Sequence, residues 1–468
     1  MTKNVQITYY LSFFLIFSYI IFRGFTLGIT HDEALTYKII QGDEILKNTA
    51  NHHWLNTYLS AFLARLFGAK EWILRLPNML SFVLFWYYLY QITKTFLSAS
   101  FTQISLLLLL CGNPFVLDFF SLCRGYGISL ACITASLYYL FKAFETRKKS
   151  NCTHHILATL FSILALSANL NTLNYFLVAQ ALILLNLLLT KPENRIIWFG
   201  IIVILCGITL FFSLDRLFFL REKDELYYGS GRLGLTIDNI FYSSIHSLED
   251  IFKKISLLRY LLYTSLLVAS IFAIRKKQLF NAGVISLIVL AAIVLALFLE
   301  HLLFDTLYPV GRSTLYLYPL ILLALLLNVD GIRRKILRIA ILTFSWLFLL
   351  NNLFDFYTFR DKSITWKDDQ HVKMGMLRVK TEIKDCAIHS LSCSWIYEPA
   401  INYYRKEYHI PVNEVFRDGI NESSEYKLVQ SRDTEGMKKA KDDGSCILLF
   451  HPGECGLILS QKRPIAAN

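Results

Sequence analysis

The sequence predicts a polytopic α-helical membrane protein, and its composition, its hydropathy and its charge placement all indicate this fold class. Of the 468 residues, 55% are hydrophobic and only 18% are charged, and the mean hydropathy is positive. Soluble domains rarely have such a composition. Repeated windows of about 18 to 22 residues carry almost no charge, and a helix of that length crosses a hydrocarbon layer roughly 30 Å thick.

About eleven transmembrane helices follow from these windows. The first apolar stretch, Tyr9 to Ile29, is longer than the core of a usual secretory signal and lacks a small-x-small cleavage site. We therefore interpret it as a retained helix. The expected spans lie at about residues 8–29, 72–93, 101–121, 125–144, 153–169, 172–190, 196–214, 256–274, 279–299, 312–329 and 335–354.

Short basic loops predict the orientation, because Lys and Arg favour the cytoplasmic side of a membrane. The basic residues fall in every second loop between the predicted spans. They are Lys94, Glu145–Lys149, Lys191–Arg195, Arg275–Lys277 and Arg333–Lys335. The loop after the first span, a long segment at about 215–255 and everything after about residue 356 are therefore expected outside the cytoplasm. The cytoplasmic basic loops account for much of the net charge of +12, so the charge requires no nucleic-acid partner. The remaining positive charge favours contact with anionic lipid.

The composition changes after about residue 355, which divides the chain into a transmembrane domain (1–355) and a small soluble extracytoplasmic domain (356–468). Short β-like pieces in the tail, "CAIHSL", "SWIYE" and "SCILLF", alternate with turn residues, so an α/β or α+β fold is expected. Interfacial helices are expected in two exterior loops, at Trp54 to Gly68 and within 215–255. The second of these loops also contains possible hinges at Gly229, Gly231 and Gly234.

The cysteines fall into two groups. Five lie in or beside spans, where they behave as small apolar residues, namely Cys111, Cys123, Cys132, Cys152 and Cys206. Four lie in the exterior tail, where an oxidising compartment favours two disulfides, and we expect the pairs Cys386–Cys393 and Cys446–Cys455. Metal binding by these four is disfavoured, because the spacing contains neither CxxC nor CxH.

The stretch "GITHDEALTYKII" places Asp32 and Glu33 side by side at the outer end of the first span. Carboxylates at a membrane boundary are functional candidates, and a solvated loop end is the alternative. Function is favoured because polar stretches at the mouths of other spans fall on the same side. These stretches are "NHHWLNTYL", "EWILRLPN", "NPFVLDFFSLCRGYGISL" and "DTLYPVGRSTLYLYPL".

Two arginines open spans at the predicted outer interface, and each is followed by a tyrosine: Arg124 by Tyr126, and Arg312 by Tyr316. A guanidinium near hydrocarbon is costly unless it finds an anion, and its planar fork matches phosphate oxygens. A lipid phosphate is one such partner. A snorkelling interfacial position or a structural pair with an aspartate is the alternative, the nearby aspartates being Asp118 and Asp305.

Other polar residues of the first exterior loop have a less specific pattern. Arg75 is expected to be structural, with Glu71 as its partner at i, i+4. His52 and His53 either contact a substrate or form ordinary polar surface. In the tail, the aromatic residues of "SWIYEPAINYYRKEY" either stack on sugar rings or fill the core of the small domain, and we favour the core.

Three stretches together resemble those of membrane glycosyltransferases of the GT-C fold. They are "DEA" after the first span, "LFGAKEWILRLPNMLSFVL" leading into the second span and "CRGYGISLA" at the fourth. The likeness is to the bacterial branch related to protein O-mannosyltransferases and lipid A aminoarabinose transferases, glycosyltransferase families 39 and 83. It covers about the first 145 residues well, and the later spans through topology and "YPVGRSTLYLYPL". The chain departs from the family in having "NHHWLN" where "HPP" is usual.

The resemblance implies a polyprenyl-phosphate sugar donor, hexosyl or pentosyl transfer to a lipid, glycan or protein acceptor, and an active site outside the cytoplasmic membrane, at the periplasmic face of a bacterial inner membrane. It assigns the role of general base to Asp32, with Glu33 as the neighbour that tunes or orients it. The substrate-binding candidates are Arg312, Arg124, Asp118, His53, Tyr126 and Tyr316. No metal ligand is assigned, and a divalent cation is left open.

Two other functions compete with sugar transfer. A transporter or flippase of a lipid-linked saccharide needs polar residues along both sides of a central path and broken spans at the midplane, whereas the polar residues here crowd one side. An O-antigen ligase or polymerase typically centres on a very long exterior loop between late spans. The sequence favours the transferase.

Overall fold

The computed structural model describes residues 1–145, 152–190, 192, 194–244, 270, 281–330, 335–385, 387–442, 446–450 and 457–461. These residues are mainly helical and belong to two units. The first unit comprises Met1–Ile21, Asn48–Leu59 and Leu76–Tyr357. The second unit comprises Phe22–Lys47, Ser60–Arg75 and Thr358–Asn468.

The described α-helices are numbered in chain order. They are α1 (Lys3–Thr26), α2 (His31–Ile40), α3 (Glu44–Lys47), α4 (Trp54–Phe67), α5 (Glu71–Phe96), α6 (Ser100–Cys111), α7 (Pro114–Asp118), α8 (Gly125–Glu145), α9 (Cys152–Ala168), α10 (Leu173–Thr190), α11 (Arg195–Glu222), α12 (Leu233–Ser244), α13 (Ala282–Phe304), α14 (Leu317–Val329), α15 (Lys335–Thr358), α16 (Val372–Glu382), α17 (Glu398–Glu407) and α18 (Thr434–Asp442). Short 3₁₀ helices lie at Leu170–Thr172, Gly311–Thr314, Lys367–His371 and Trp395–Tyr397.

Seven of the described helical segments are long and apolar enough to cross a membrane, which confirms the predicted polytopic helical class. The predicted total of eleven stays a prediction, and the span predicted at 256–274 lies outside the described residues. The seven segments are Lys3–Thr26, Gly125–Glu145, Leu170–Thr190, Arg195–Glu222, Ala282–Phe304, Gly311–Val329 and Ile339–Thr358.

The span predicted over 101–121 is interrupted in the structure. Helix α6 ends at Cys111, and α7 begins after Asn113. The Asn113 side chain accepts a hydrogen bond from the backbone N–H of Phe115 (3.0 Å), and Pro114 occupies the first turn of α7. An asparagine cap followed by proline starts a new helix, so the two helices cannot be continuous.

The segment expected to be an exterior loop at 215–255 is partly helical. Helix α11 runs on to Glu222, because the apolar run "LFFL" at 217–220 continues its pattern beyond the predicted end at 214. Beyond this helix, Ser230 and Tyr308 exchange backbone hydrogen bonds of 2.9 and 2.8 Å. The amphipathic helix α12 follows, as expected for this segment.

The second unit contains a four-stranded sheet. Its strands are β1 (Leu391–Cys393), β2 (Tyr426–Gln430), β3 (Cys446–Phe450) and β4 (Leu457–Gln461). They are arranged in the order β1-β2-β4-β3, with β1 parallel to β2 and the other pairs antiparallel. The strand predicted in "SCILLF" is present as β3. The strand predicted in "SWIYE" is wrong: these residues form a 3₁₀ helix that leads into α17, where Pro399 suits the first turn.

Cys393 contradicts one predicted disulfide. It lies in β1 as a buried free thiol, with its side chain packed into the interior of the second unit, so the expected Cys386–Cys393 pair is wrong. The position of Cys386 and the side chains of the other expected pair lie outside the described residues.

A histidine in the same unit lies between two carboxylates. The His389 ring forms hydrogen bonds with Asp385 (2.7 Å) and Glu425 (2.5 Å). These bonds, the one with Asp385 first, raise the pKa of His389. The cluster therefore binds a proton more tightly in the folded chain than a free histidine does.

Candidate functional site

Asp32 and Glu33 lie in the first turn of α2, which begins with a capping box. The Thr30 hydroxyl accepts a hydrogen bond from the Glu33 backbone N–H (3.3 Å), and the Glu33 carboxylate accepts one from the Thr30 N–H (3.0 Å). This reciprocal pair satisfies backbone donors that would otherwise lack partners at the start of the helix. The sequence "THDE" thus fixes where the helix starts and where Asp32 is placed.

Arg75 holds the turn before α2. Its guanidinium donates to both oxygens of the Glu33 carboxylate, at 2.8 and 2.7 Å. Its remaining N–H groups donate to the carbonyl oxygens of Gly24 (3.1 Å), Leu27 (2.8 Å) and Gly28 (2.7 Å). All five N–H donors of the guanidinium are therefore used, although the side chain is fully buried. A buried charge is tolerated only with such complete pairing.

The expected Glu71–Arg75 ion pair is therefore wrong. Glu71 instead forms an ion pair with Lys373 at 2.9 Å and accepts a hydrogen bond from the Tyr408 hydroxyl at 2.8 Å. Burial alone would raise the pKa of Glu71, but Lys373 and the nearby Arg75 outweigh it and lower the pKa. Glu71 and Arg75 have the i, i+4 spacing, but the Arg75 guanidinium forms its bidentate contact with Glu33 of α2 instead.

Asp32 is 5% exposed and has the buried Glu33 on one side and the half-buried His31 on the other. The Asp369 carboxylate accepts a hydrogen bond from the His31 N–H (2.6 Å), and the Ile396 carbonyl bonds to the His31 ring at Nδ1 (2.7 Å). Asp32 thus lies on a helical turn whose two flanking residues are each anchored by hydrogen bonds. Such anchoring preorganises a side chain for chemistry.

The sequence candidates Arg124, His53 and Tyr126 come together in the first unit. Arg124 is buried and donates hydrogen bonds to the Asn51 side chain (2.9 Å) and to the Asn51 carbonyl (3.3 Å). The residue before it is fixed as well, because Asn78 donates to Asn56 (2.6 Å) and Asn56 donates to the Cys123 carbonyl (3.3 Å). Amides from two separate stretches therefore position the arginine.

His53 is buried beside Arg124 and has one unsatisfied nitrogen. The Ala168 carbonyl bonds to its Nδ1 (3.1 Å), and a carbonyl can only accept, so Nδ1 carries the hydrogen. Among the residues that the structure describes, Nε2 has no hydrogen-bond partner. Burial, followed by the positive charges of Arg124 and Arg312, lowers the pKa of His53 well below its usual value. His53 is therefore a neutral acceptor within the influence of two guanidinium groups.

Arg312 lies in the 3₁₀ helix Gly311–Thr314, which leads into α14. Its guanidinium lies over the Tyr228 ring, 5.6 Å from the ring centre. Gly311 has a φ of +55° and approaches the Tyr228 hydroxyl so closely that a Cβ would lie 2.8 Å from it. A glycine is suited to this position. The segment around Tyr228 and the start of α14 therefore form one packed arrangement in the first unit.

The remaining candidates are buried in the first unit. Tyr126 packs its ring edge-on to His53, with 5.0 Å between ring centres, and Asp118 ends α7 with no exposed surface. The Tyr316 hydroxyl is buried and has no hydrogen-bond partner among the described residues. The sequence pattern did not single out Glu300 of α13, a half-buried carboxylate that accepts a hydrogen bond from Asn174 (3.0 Å).

The structure also reveals supporting residues that the sequence analysis did not single out. Arg216 of α11 donates to the Thr49 carbonyl (2.8 Å), so two arginines hold the segment 48–53. Asn51, Asn56 and Asn78 lie within the polar stretches noted in the sequence, which was the available signal, and the structure buries Asn56 and Asn78. Within the described ranges, no group of three His, Cys, Asp or Glu side chains is arranged to hold a metal ion.

Comparison with known proteins indicates the class of fold. Residues 51–214 match the family described as dolichyl-phosphate-mannose-protein mannosyltransferase, a range that includes His53, Arg124 and their supporting amides. Together with the helical architecture, this match defines the chain as a membrane protein with the GT-C fold of glycosyltransferases.

Solved structures of ArnT from Cupriavidus metallidurans share this fold. The apo state aligns over 98% of both chains with a TM-score of 0.54 and 8% sequence identity. The structure bound to undecaprenyl phosphate aligns over 99% of both chains with a TM-score of 0.55 and 9% identity. No curated protein sequence matches the chain.

Proposed function

We propose that the chain transfers a hexosyl or pentosyl group from a polyprenyl-phosphate donor to an acceptor on the extracytoplasmic side of the membrane. The fold match to ArnT, including a structure with bound undecaprenyl phosphate, and the mannosyltransferase family match support this proposal. In this proposal residues 1–355 form the catalytic membrane domain and residues 356–468 an extracytoplasmic domain.

The observation that carries the proposal is the placement of Asp32. A buried carboxylate lies in the first turn of α2, and the bidentate Glu33–Arg75 pair anchors that turn. As the acceptor hydroxyl or amine attacks the anomeric carbon, Asp32 takes its proton. The bond from the anomeric carbon to the phosphate oxygen breaks at the same time, and the polyprenyl phosphate leaves with the electron pair. Glu33 acts as a positioning residue.

The donor phosphate is proposed to bind at Arg124 and Arg312. Both positive charges act on the His53 ring, so the first unit has a cationic region at these residues. Preorganised guanidinium groups stabilise the charge that develops on a departing phosphate. The free Nε2 acceptor of His53 suits a hydroxyl of the donor sugar, because a neutral imidazole accepts a hydrogen bond there. Tyr126, Tyr316 and Asp118 complete the proposed contacts.

The test is sugar transfer by the purified full chain in nanodiscs, supplied with an undecaprenyl-phosphate sugar and a panel of lipid, glycan and peptide acceptors. Asp32→Asn should lower kcat by about 10²-fold or more, while binding of undecaprenyl phosphate stays within about twofold. Glu44→Gln is the matched control, because this exposed carboxylate pairs with Lys47 at the surface and should retain full activity.

Transfer that survives in Asp32→Asn would refute the role of Asp32 as base. Transport is tested separately with a fluorescent lipid-linked saccharide in vesicles. If wild type moves this lipid between leaflets and shows no transfer, the chain is a flippase and the proposal is wrong.

A further inference from the structure

Trp395 is exposed in the second unit, whereas the tyrosines that follow it are buried. Its side chain is 56% exposed, while Tyr397, Tyr403 and Tyr404 fill the interior. The expectation that these aromatic residues form core is therefore correct for the three tyrosines and wrong for Trp395. The exposed indole presents a flat apolar face, which suits the apolar face of a sugar ring.

The indole is connected to the turn that contains Asp32. Its ring lies edge-to-face with the His31 imidazole, with 6.2 Å between centres and an interplanar angle of 77°. The carbonyl of Ile396, the next residue, bonds to Nδ1 of the same imidazole at 2.7 Å. The carbonyl can only accept, so this bond fixes the Nδ1–H tautomer. The indole is therefore held at a defined position against His31, the residue that precedes Asp32.

A guanidinium completes this surface. Arg417 lies with its carbon Cζ 5.9 Å from the Trp395 ring centre, and its side chain is 49% exposed. Its partner Glu398 is 3.5 Å away, but Glu398 is also bound by Lys38 at 2.5 Å. Arg417 thus shares its carboxylate with Lys38, and its half-exposed guanidinium keeps N–H donors available beside the indole. These donors suit the oxygen atoms of a carbohydrate or of its anionic substituents.

We propose that Trp395, His31 and Arg417 form an acceptor platform, on which Trp395 stacks against a sugar ring of the acceptor and Arg417 donates hydrogen bonds to its oxygens. The inference rests on the proposed transferase function and gives its acceptor a chemical class, a carbohydrate. The platform includes His31, which lies on the same helical turn as the proposed base. A membrane-interface anchor is the competing role for an exposed tryptophan.

Saturation-transfer NMR with the full chain in nanodiscs tests the platform. The probes are N-acetylglucosamine and N-acetylglucosamine 1-phosphate, which share a sugar ring and differ in charge. Trp395→Ala should weaken binding of both probes about fivefold or more, and Trp395→Phe should restore part of it. Arg417→Gln should weaken binding of the phosphorylated probe more than binding of the neutral probe. Phe416→Ala is the matched control, since Phe416 is 65% exposed and not part of the platform.

The outcomes separate the platform from the proposed function. Thermal stabilisation by undecaprenyl phosphate, measured on the same samples, reports on donor binding and should be equal in wild type and in the Trp395 variants. If the lipid stabilises wild type but neither sugar binds, or if Trp395→Ala binds both sugars as wild type does, the platform is refuted while the donor site stands. Loss of fluorescence quenching by brominated lipids in Trp395→Ala would identify a membrane anchor and also overturn the platform.

Discussion

Replacing Glu33 with glutamine tests the ion pair that anchors the proposed base. The change keeps the shape and removes the charge, so Arg75 remains fully buried without a carboxylate. Removing one partner of a buried pair costs about 3–5 kcal/mol, because the remaining charge is uncompensated. The three carbonyl contacts of Arg75 stay, so we expect the lower end, about 3 kcal/mol.

Thermal unfolding of the purified chain, followed by tryptophan fluorescence, measures this loss. For 468 residues that unfold together, a cost of that size lowers the midpoint of unfolding by roughly 3 °C. The double variant Glu33→Gln with Arg75→Met removes both charges and should recover part of the loss, which separates ion pairing from packing. Glu44→Gln is the control, because its exposed pair with Lys47 should shift the midpoint by less than about 1 °C.

Equal midpoints for Glu33→Gln and the Glu44→Gln control would refute the reasoning. A second refuting result is additivity. If Arg75→Met lowers the stability of Glu33→Gln by as much as it lowers the stability of wild type, the two side chains are not coupled.

Three further predictions follow from single contacts. His53→Leu removes the Nε2 acceptor and should raise the apparent KM for an undecaprenyl-phosphate sugar about fivefold or more, and loss of the bond from Nδ1 to the buried Ala168 carbonyl should lower the thermal midpoint as well. Gly125→Ala should lower the midpoint by several degrees, since its Cβ would lie 1.8 Å from a backbone carbonyl oxygen, whereas Gly231→Ala has open space and should be neutral. The raised pKa of His389 means that its stabilisation is complete below the pKa of the unfolded chain and is lost as pH rises through the folded pKa. The difference in midpoint between wild type and His389→Gln should therefore shrink from pH 5.5 to pH 8.5, and a constant difference would contradict it.

Much of the membrane architecture could be predicted because charge-free windows are a strong local signal. Errors in the helix bounds have local causes as well. The break after Cys111 is visible in "CGNP", where a cap and a proline interrupt an otherwise apolar run. The predicted span ends at residue 214, just before the charged pair Asp215 and Arg216, whereas α11 contains both residues and continues to Glu222.

The candidate site shows where sequence reasoning ends. Adjacent carboxylates and interfacial arginines could be singled out by type and position, but their partners could not. Glu71 and Glu33 are both plausible partners of Arg75, and only the tertiary fold brings Glu33 into bidentate contact with it. Likewise, local sequence does not distinguish the exposed Trp395 from the buried tyrosines beside it.

The pairing of Arg75 with Glu33 explains why two acidic residues are adjacent in the first turn of α2. Neighbouring side chains on a helix point in different directions, so Glu33 can bond to Arg75 and Thr30 while Asp32 points another way. An isolated buried Glu33 would repel a negative charge on Asp32, but the pair with Arg75 is neutral overall and removes that opposition. Glu33 thus anchors the turn at no electrostatic cost to Asp32, and exchanging the two residues should abolish both the anchor and the base.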